Sequence, residues 1–215
     1  MLARFLDRLY RHPFEGRSAR RYEQLERPAF GDLDQRLLDE LAPQLQGATR
    51  LLDVGAGPGN FVQAAATRFD RVTVIGVEPS RDYSWSKTTH PANSHRVYAV
   101  GETLPIGNAS VDVAVCLSSL RHLHDRNVGL RELRRVVRAG GTLMIVELDP
   151  AATKARAQRH ANGVRSRALG WLFEPLVLRT APSQQAMIDS AIQAGWTLTA
   201  AHADAEQPVY VMTFT

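Results

Sequence analysis

The stretch RLLDVGAGPGN, residues 50–60, runs an apolar segment directly into a glycine-rich turn. Leu51, Leu52 and Val54 read as a buried strand, and Gly55, Gly57 and Gly59 as the turn that follows it. Glycine has no Cβ and tolerates positive φ, so such a turn lets backbone N–H groups come close to a ligand. Two nucleotide signatures fail here. The dinucleotide fingerprint G-x-G-x-x-G would put its third glycine at position 60, which is Asn60, and no Lys-Ser/Thr pair follows the turn to cradle a triphosphate. What remains is Asp53-x-Gly55-x-Gly57-x-Gly59, with an acidic residue, Glu78, closing the next apolar run. A carboxylate in that position can accept both hydroxyls of a ribose, so the pattern suits an adenosine-containing ligand.

Outward from the turn, strands and helices alternate. A helix is expected over about Asn60–Phe69, a strand over RVTVIGVEP (71–79) and a short helix near Arg81–Lys87. Strands follow at HRVYAVG (95–101) and VDVAVCLS (111–118), then a helix over about Asn127–Arg138 and a strand at GGTLMIVELDP (140–150). Strands this apolar are buried on both faces, which argues for a parallel sheet with helices on each side. The end differs. A helix over about Ser183–Ala194 stops at Gly195, and WTLTAAHA and PVYVMTF flank DAEQ as an antiparallel hairpin. The expected fold is therefore Rossmann-like α/β: a seven-stranded sheet, mostly parallel with a terminal antiparallel hairpin, helices on both faces. A dinucleotide fold would instead continue into a second βαβ half. Ahead of the turn, Leu2, Phe5, Leu6 and Leu9 recur at helical spacing, and Leu37, Leu38 and Leu41 mark a helix over about Asp34–Leu45.

At 215 residues, 44% hydrophobic and 22% charged, the composition is that of a single globular domain. No apolar run approaches the roughly 18–20 residues of a membrane span, and the N-terminal stretch lacks the uninterrupted apolar core of a signal peptide. Cys116 is the one cysteine, which excludes an internal disulfide or a cysteine-cluster metal site. A cytoplasmic protein is the expectation. The net charge of +4 is unevenly spread: residues 1–30 hold seven basic and four acidic side chains, and residues 151–181 six basic and one acidic. Such segments suit an anionic substrate, a peripheral membrane contact or a solvated helix face.

LLDVGAGPGN, VIGVEPS, GETLPIGNASVDVAVCLSSLRHLHD and ELRRVVRAGGTLMIVELDP follow one another in order over about residues 45–150. Together they resemble the class I S-adenosylmethionine (SAM)-dependent methyltransferases, in the small-molecule branch of the ubiquinone and menaquinone C-methyltransferases. The resemblance implies SAM as cofactor and S-adenosyl-L-homocysteine as product; no metal constellation is evident in the sequence, which argues against a metal-dependent O-methyltransferase. It implies that Asp53 and Gly55 line the methionine end, with Gly57 and Gly59 completing the turn. Glu78 would hold the ribose diol, Pro79 and Ser80 would border the adenine, and Gly101 and Glu102 would lie along its edge. Cys116, Leu117 and Ser118 would pass near the sulfonium. Two positions depart from the family: Val100 replaces an Asp or Asn before the Gly101-Glu102 pair, and Leu120-Arg121-His122 replaces Leu-His-His.

His122 and His124 sit in SSLRHLHD at the carboxyl end of a strand, where open α/β sheets bind ligands. His122 is the candidate catalytic group, able to take a proton from a substrate hydroxyl or amine. In residues 151–181, Trp171, Phe173 and Leu176 are candidates to wall an apolar pocket. Arg156, Arg159, Arg165 and Arg179 are candidates to pair with a carboxylate or phosphate. The chain thus reads as one methyltransferase domain, 1–215: an N-terminal helical cap (1–45), a cofactor-binding core (46–150), a substrate lid (151–181), and the last helix and hairpin (182–215). The expected reaction is methyl transfer to a small molecule, anionic or partly apolar, with no DNA partner. The alternatives are an RNA or protein methyltransferase and a SAM-binding pseudoenzyme acting as a partner subunit.

Overall fold

The computed structural model describes residues 15–87 and 90–215. The helical pattern at Leu2–Leu9 lies outside the described residues. Seven strands form one sheet in the order β3-β2-β1-β4-β5-β7-β6. They are β1 (Arg50–Val54), β2 (Thr73–Val77), β3 (Ser94–Val97), β4 (Val111–Leu117), β5 (Val137–Leu148), β6 (Leu198–Ala203) and β7 (Val209–Phe214). The first five are parallel. β7 inserts antiparallel between β5 and β6, as the terminal hairpin requires.

Alternation along the strands sorts side chains onto two faces. Leu51, Val113, Val115, Met144, Val146, Val209 and Val211 belong to one core, and Leu52, Ala114, Cys116, Leu143, Ile145, Tyr210, Met212 and Phe214 to the other. The first face is covered by α2 (Leu33–Leu45), through Leu37, Leu38 and Leu41, and by α3 (Asn60–Arg68), through Phe61, Val62 and Ala65. The second is covered by α4 (Arg126–Val136), through Leu130 and Leu133, and by α7 (Gln184–Gln193), through Met187 and Ala191. Asp125 caps α4 by accepting from the N–H groups of Asn127 and Val128, and Ser183 caps α7 by accepting from Ala186. Trp196, just past α7, donates its indole N–H to the Leu130 carbonyl at 3.1 Å and ties the two helices together.

Several boundaries move. The helix expected to Arg138 ends at Val136, because β5 begins at Val137 and shifts register between its pairing with Val111 and with Val113. The strand expected over 95–101 closes at Val97, and the short helix near Arg81–Lys87 is a 3₁₀ turn, Ser84–Lys87. The N-terminal segment folds as α1 (Gly16–Arg21), then a π turn at Tyr22–Glu26 and a 3₁₀ turn at Arg27–Phe30. Residues 151–181 form α5 (Lys154–Gly163), α6 (Arg167–Leu172) and a π turn at Phe173–Leu178. These two basic segments meet. The Arg165 N–H donates to the Leu25 carbonyl, and buried His160 stacks on Phe173 at 4.3 Å with Phe30 edge-on at 4.7 Å. Among the described residues no helix is long and apolar enough to cross a membrane.

One close approach sets a limit on the core. A Cβ added to Gly76 in β2 would stand 2.2 Å from Trp85 Cη2 and 2.9 Å from Val62 Cγ2. Gly76→Ala should therefore cost about 1–3 kcal/mol, the usual penalty for overpacking. Gly107→Ala, whose nearest neighbour is the Ser110 hydroxyl at 3.7 Å, should stay within about 0.5 kcal/mol. Urea unfolding of the two variants checks this, with midpoints shifted and slopes unchanged.

Candidate active site

The carboxyl ends of β1, β2 and β4 converge on one open cavity. Its wall includes Asp53, Gly55, Gly57, Glu78, Pro79, Gly101, Glu102, Leu117 and His122 from the expected set. The N-terminal segment adds Tyr22 and Arg27, and the loop after β2 adds Tyr83.

The turn is held by backbone. Gly55 and Ala56 donate to the Val77 carbonyl at 2.8 and 3.0 Å, which fastens the end of β1 to the end of β2. Gly55 has φ +80°, and a Cβ there would lie 2.3 Å from that of Ser119, so glycine is required twice over. The Ser119 hydroxyl donates to the Val54 carbonyl at 2.6 Å and brings in the end of β4. Gly59 does not line the cavity. It is the residue before α3, at φ +81°, and a Cβ would strike the Trp85 indole at 2.5 Å, so its role is packing. Cys116 does not line the cavity either. It points into the second core, fully buried, while its neighbour Leu117 faces the site.

Glu78, 6% exposed, is clasped by two N–H groups: Gly57 donates to Oε2 at 2.9 Å and Ser80 to Oε1 at 2.8 Å. Burial raises its pKa, and these two hydrogen bonds oppose the rise. Each oxygen keeps a lone pair for a further donor. Asp53 is 2% exposed, and its Oδ1 has no hydrogen-bond partner. Burial pushes its carboxyl pKa up to about 8, with Asp34 and Glu78 adding to the rise and Arg27 opposing it. Arg27 itself is ion-paired to Asp34. Tyr22 and Tyr83 meet edge to face at 6.4 Å, and burial raises both phenol pKa values, so both stay protonated at neutral pH. Glu102 Oε1 accepts from the His124 N–H at 2.6 Å and holds the loop after β4.

A buried carboxylate with an orphaned oxygen wants a cation, and a clasped carboxylate with spare lone pairs wants hydroxyls. The alkylammonium and ribose of SAM supply both, whereas a pyrophosphate would meet three carboxylates. The residues present therefore fit SAM. Among the described residues no cluster of His, Cys, Asp and Glu is placed to hold a metal ion.

A family profile described as "Methyltransferase domain" matches residues 52–145, the span that builds this wall. Residues 52–145 carry a methyltransferase domain. A ubiquinone/menaquinone biosynthesis C-methyltransferase of Syntrophotalea carbinolica is 32% identical over 145 residues, covering 64% of this chain and 60% of that one. A 27-O-demethylrifamycin SV methyltransferase of Amycolatopsis mediterranei is 36% identical over 135 residues, covering 58% of this chain and 50% of that one. The chain thus spans about half to three-fifths of these relatives' lengths. In fold, it superposes on a SAM-dependent methyltransferase from Aquifex aeolicus with a TM-score of 0.69 at 16% identity, covering 91% of this chain and 97% of that one.

Within this methyltransferase fold, the basic segment 151–181 does not reach the cavity. Arg156 is tied to Asp149 at 3.3 Å and to the Asp204 carbonyl at 3.0 Å, Arg159 lies 3.8 Å from Glu206, and Arg179 pairs with Glu174 at 2.6 Å. Trp171 is 80% exposed, and Phe173 is buried against His160. The direct cover is the segment 15–30, with 154–178 packed behind it. Tyr22, Arg27 and Tyr83 escaped sequence reasoning because no motif marks them. The helical expectation for the N-terminal segment fell on Leu2–Leu9, upstream of both Tyr22 and Arg27.

Two outcomes follow from the two carboxylates. Glu78→Ala should weaken SAM binding about tenfold to a hundredfold in calorimetry, the loss of one or two charge-assisted hydrogen bonds, with the far-ultraviolet spectrum unchanged. Unchanged affinity in the folded variant would move the ribose site elsewhere. For Asp53, the folded pKa lies above the unfolded value, so the folded state binds the extra proton between the two, and stability falls as pH rises through that interval. The ligand-free protein should lose stability from about pH 5 to pH 8, and Asp53→Asn should flatten the decline and gain stability at the upper end. An equally steep decline in the variant would place the titrating group elsewhere.

Proposed function

We propose that this chain transfers the methyl group of SAM to a small-molecule acceptor. The observation that carries the reading is the pairing of clasped Glu78 with orphaned Asp53 on one cavity wall. When bound, SAM supplies a methyl group already activated on a sulfonium, so the protein's work is alignment and exclusion of water. Glu78 would hold the ribose hydroxyls through its free lone pairs. Asp53 would face the cationic amino-acid end, where a positive charge stabilises its ionised form. Phe61, Leu117 and Val54 give the wall its apolar surface, with the rings of Tyr22 and Tyr83 beside them. His122 and His124 bring imidazoles to the wall beside Leu117 and Ser118. The similarity to both a C- and an O-methyltransferase supports a small acceptor and leaves its atom open.

The test is incubation with methyl-labelled SAM and a small-molecule extract. Label should pass to a product heavier by one methylene, with S-adenosylhomocysteine released in equal amount, and Glu78→Ala should slow both. SAM binding with no release from any extract would leave a binding protein without transfer, and tighter binding of NAD than of SAM would overturn the cofactor assignment.

A further inference from the structure

Arg121, the residue that departs from the family pattern, links the core to the cavity wall. Glu147 lies in β5, fully buried. Its Oε1 accepts the backbone N–H of Arg121 at 3.3 Å, and its Oε2 stands 3.8 Å from Arg121 Nε. That Nε in turn donates to His122 Nε2 at 3.2 Å. The order of the two distances assigns the single Nε hydrogen to the imidazole and leaves the carboxylate as an electrostatic anchor. Burial raises the Glu147 pKa, and the Arg121 charge opposes the rise. Arg126 of α4 and Tyr210 of β7 also face Glu147, Tyr22 approaches Arg121, and Glu102 holds the backbone of His124 in the same loop.

Arginine is always protonated, so its N–H can only donate. The nitrogen that receives that hydrogen must present a lone pair, and a neutral imidazole then carries its own hydrogen on the other nitrogen. We propose that Glu147 and Arg121 are positioning residues that fix His122 as its Nδ1–H tautomer and withhold Nε2 from the acceptor. Taken with the methyl-transfer reading, on which this consequence rests, His122 then takes no proton through Nε2. The site would serve acceptors that arrive with their nucleophilic electron pair already exposed: an ionised hydroxyl, an unprotonated amine, or the carbon of an already formed enolate.

The test reads the tautomer directly and needs neither SAM nor acceptor, so it succeeds or fails independently of the methyl-transfer reading. Long-range nitrogen–proton correlation spectra of the ¹⁵N-labelled protein near pH 8 distinguish the two ring nitrogens, with His122→Asn identifying the signals. The wild-type ring should show a protonated Nδ1 and a bare Nε2. In Arg121→Leu the hydrogen should move largely to Nε2, and Glu147→Gln, which keeps an acceptor for the Arg121 N–H but not the charge, should give a mixture. A wild-type ring with its hydrogen on Nε2 overturns the proposal, whether or not either variant folds. So does a folded Arg121→Leu or Glu147→Gln whose tautomer matches wild type.

Discussion

The site depends on three strand ends being laced by hydrogen bonds. Val77 at the end of β2 receives the N–H groups of Gly55 and Ala56, and Val54 at the end of β1 receives the Ser119 hydroxyl from beyond β4. No side chain larger than hydrogen fits at Gly55, because Ser119 occupies that space. The lacing carries the turn across the sheet end, so that the Gly57 N–H meets Glu78 and Asp53 faces the same cavity. A looser turn would leave the same carboxylates present and unfocused.

The cover formed by residues 15–30 follows from a second layer of packing. His160 sits between Phe30 and Phe173, and its Nδ1 pairs with Gln207 Oε1 at 2.8 Å. Gln207 also donates to the Ala29 carbonyl. Burial lowers the His160 pKa to about 4, so the ring that joins the two cap segments is neutral near pH 7. Charge in these segments is spent on one another and on the hairpin turn, as the Arg156, Arg159 and Arg179 pairs show. Arg156 and Arg179 are therefore spent on fastening segment 151–181 to its neighbours.

The central strands β1, β2, β4, β5 and β7 are legible because each contains an apolar run, whereas the edge strands SHRV and LTAAHA are mostly polar or exposed. Glu78 stands out in the sequence for the same reason, as the acidic residue that closes an otherwise apolar run, and it lines the cavity. Boundaries failed where tertiary pairing overrode local preference, as at Val137, where pairing with Val111 pulls the chain out of its helix. Cys116 was misplaced although strand alternation assigns it and Leu117 to opposite faces. Gly59 packs against Trp85, a contact formed only in three dimensions. Glu147 carries no local signal at all. A glutamate in an apolar strand gains meaning only when the chain brings Arg121 beside it.

The placement of β7 has a consequence for the order in which the molecule can assemble. β6 is made first, yet its sheet partner is β7, which alone joins it to β5. Until the segment around Phe214 has left the ribosome, β5 presents an open edge and β6 has nothing to pair with. At a synthesis rate of about 5–20 residues per second, the parallel half can form while that edge waits. The Glu147 side chain lies in the waiting strand, opposite Tyr210. The residues that line the cavity, Tyr22 to His124, would thus all be made before the sheet is closed, and a chaperone that shields unpaired strand edges would have its window there.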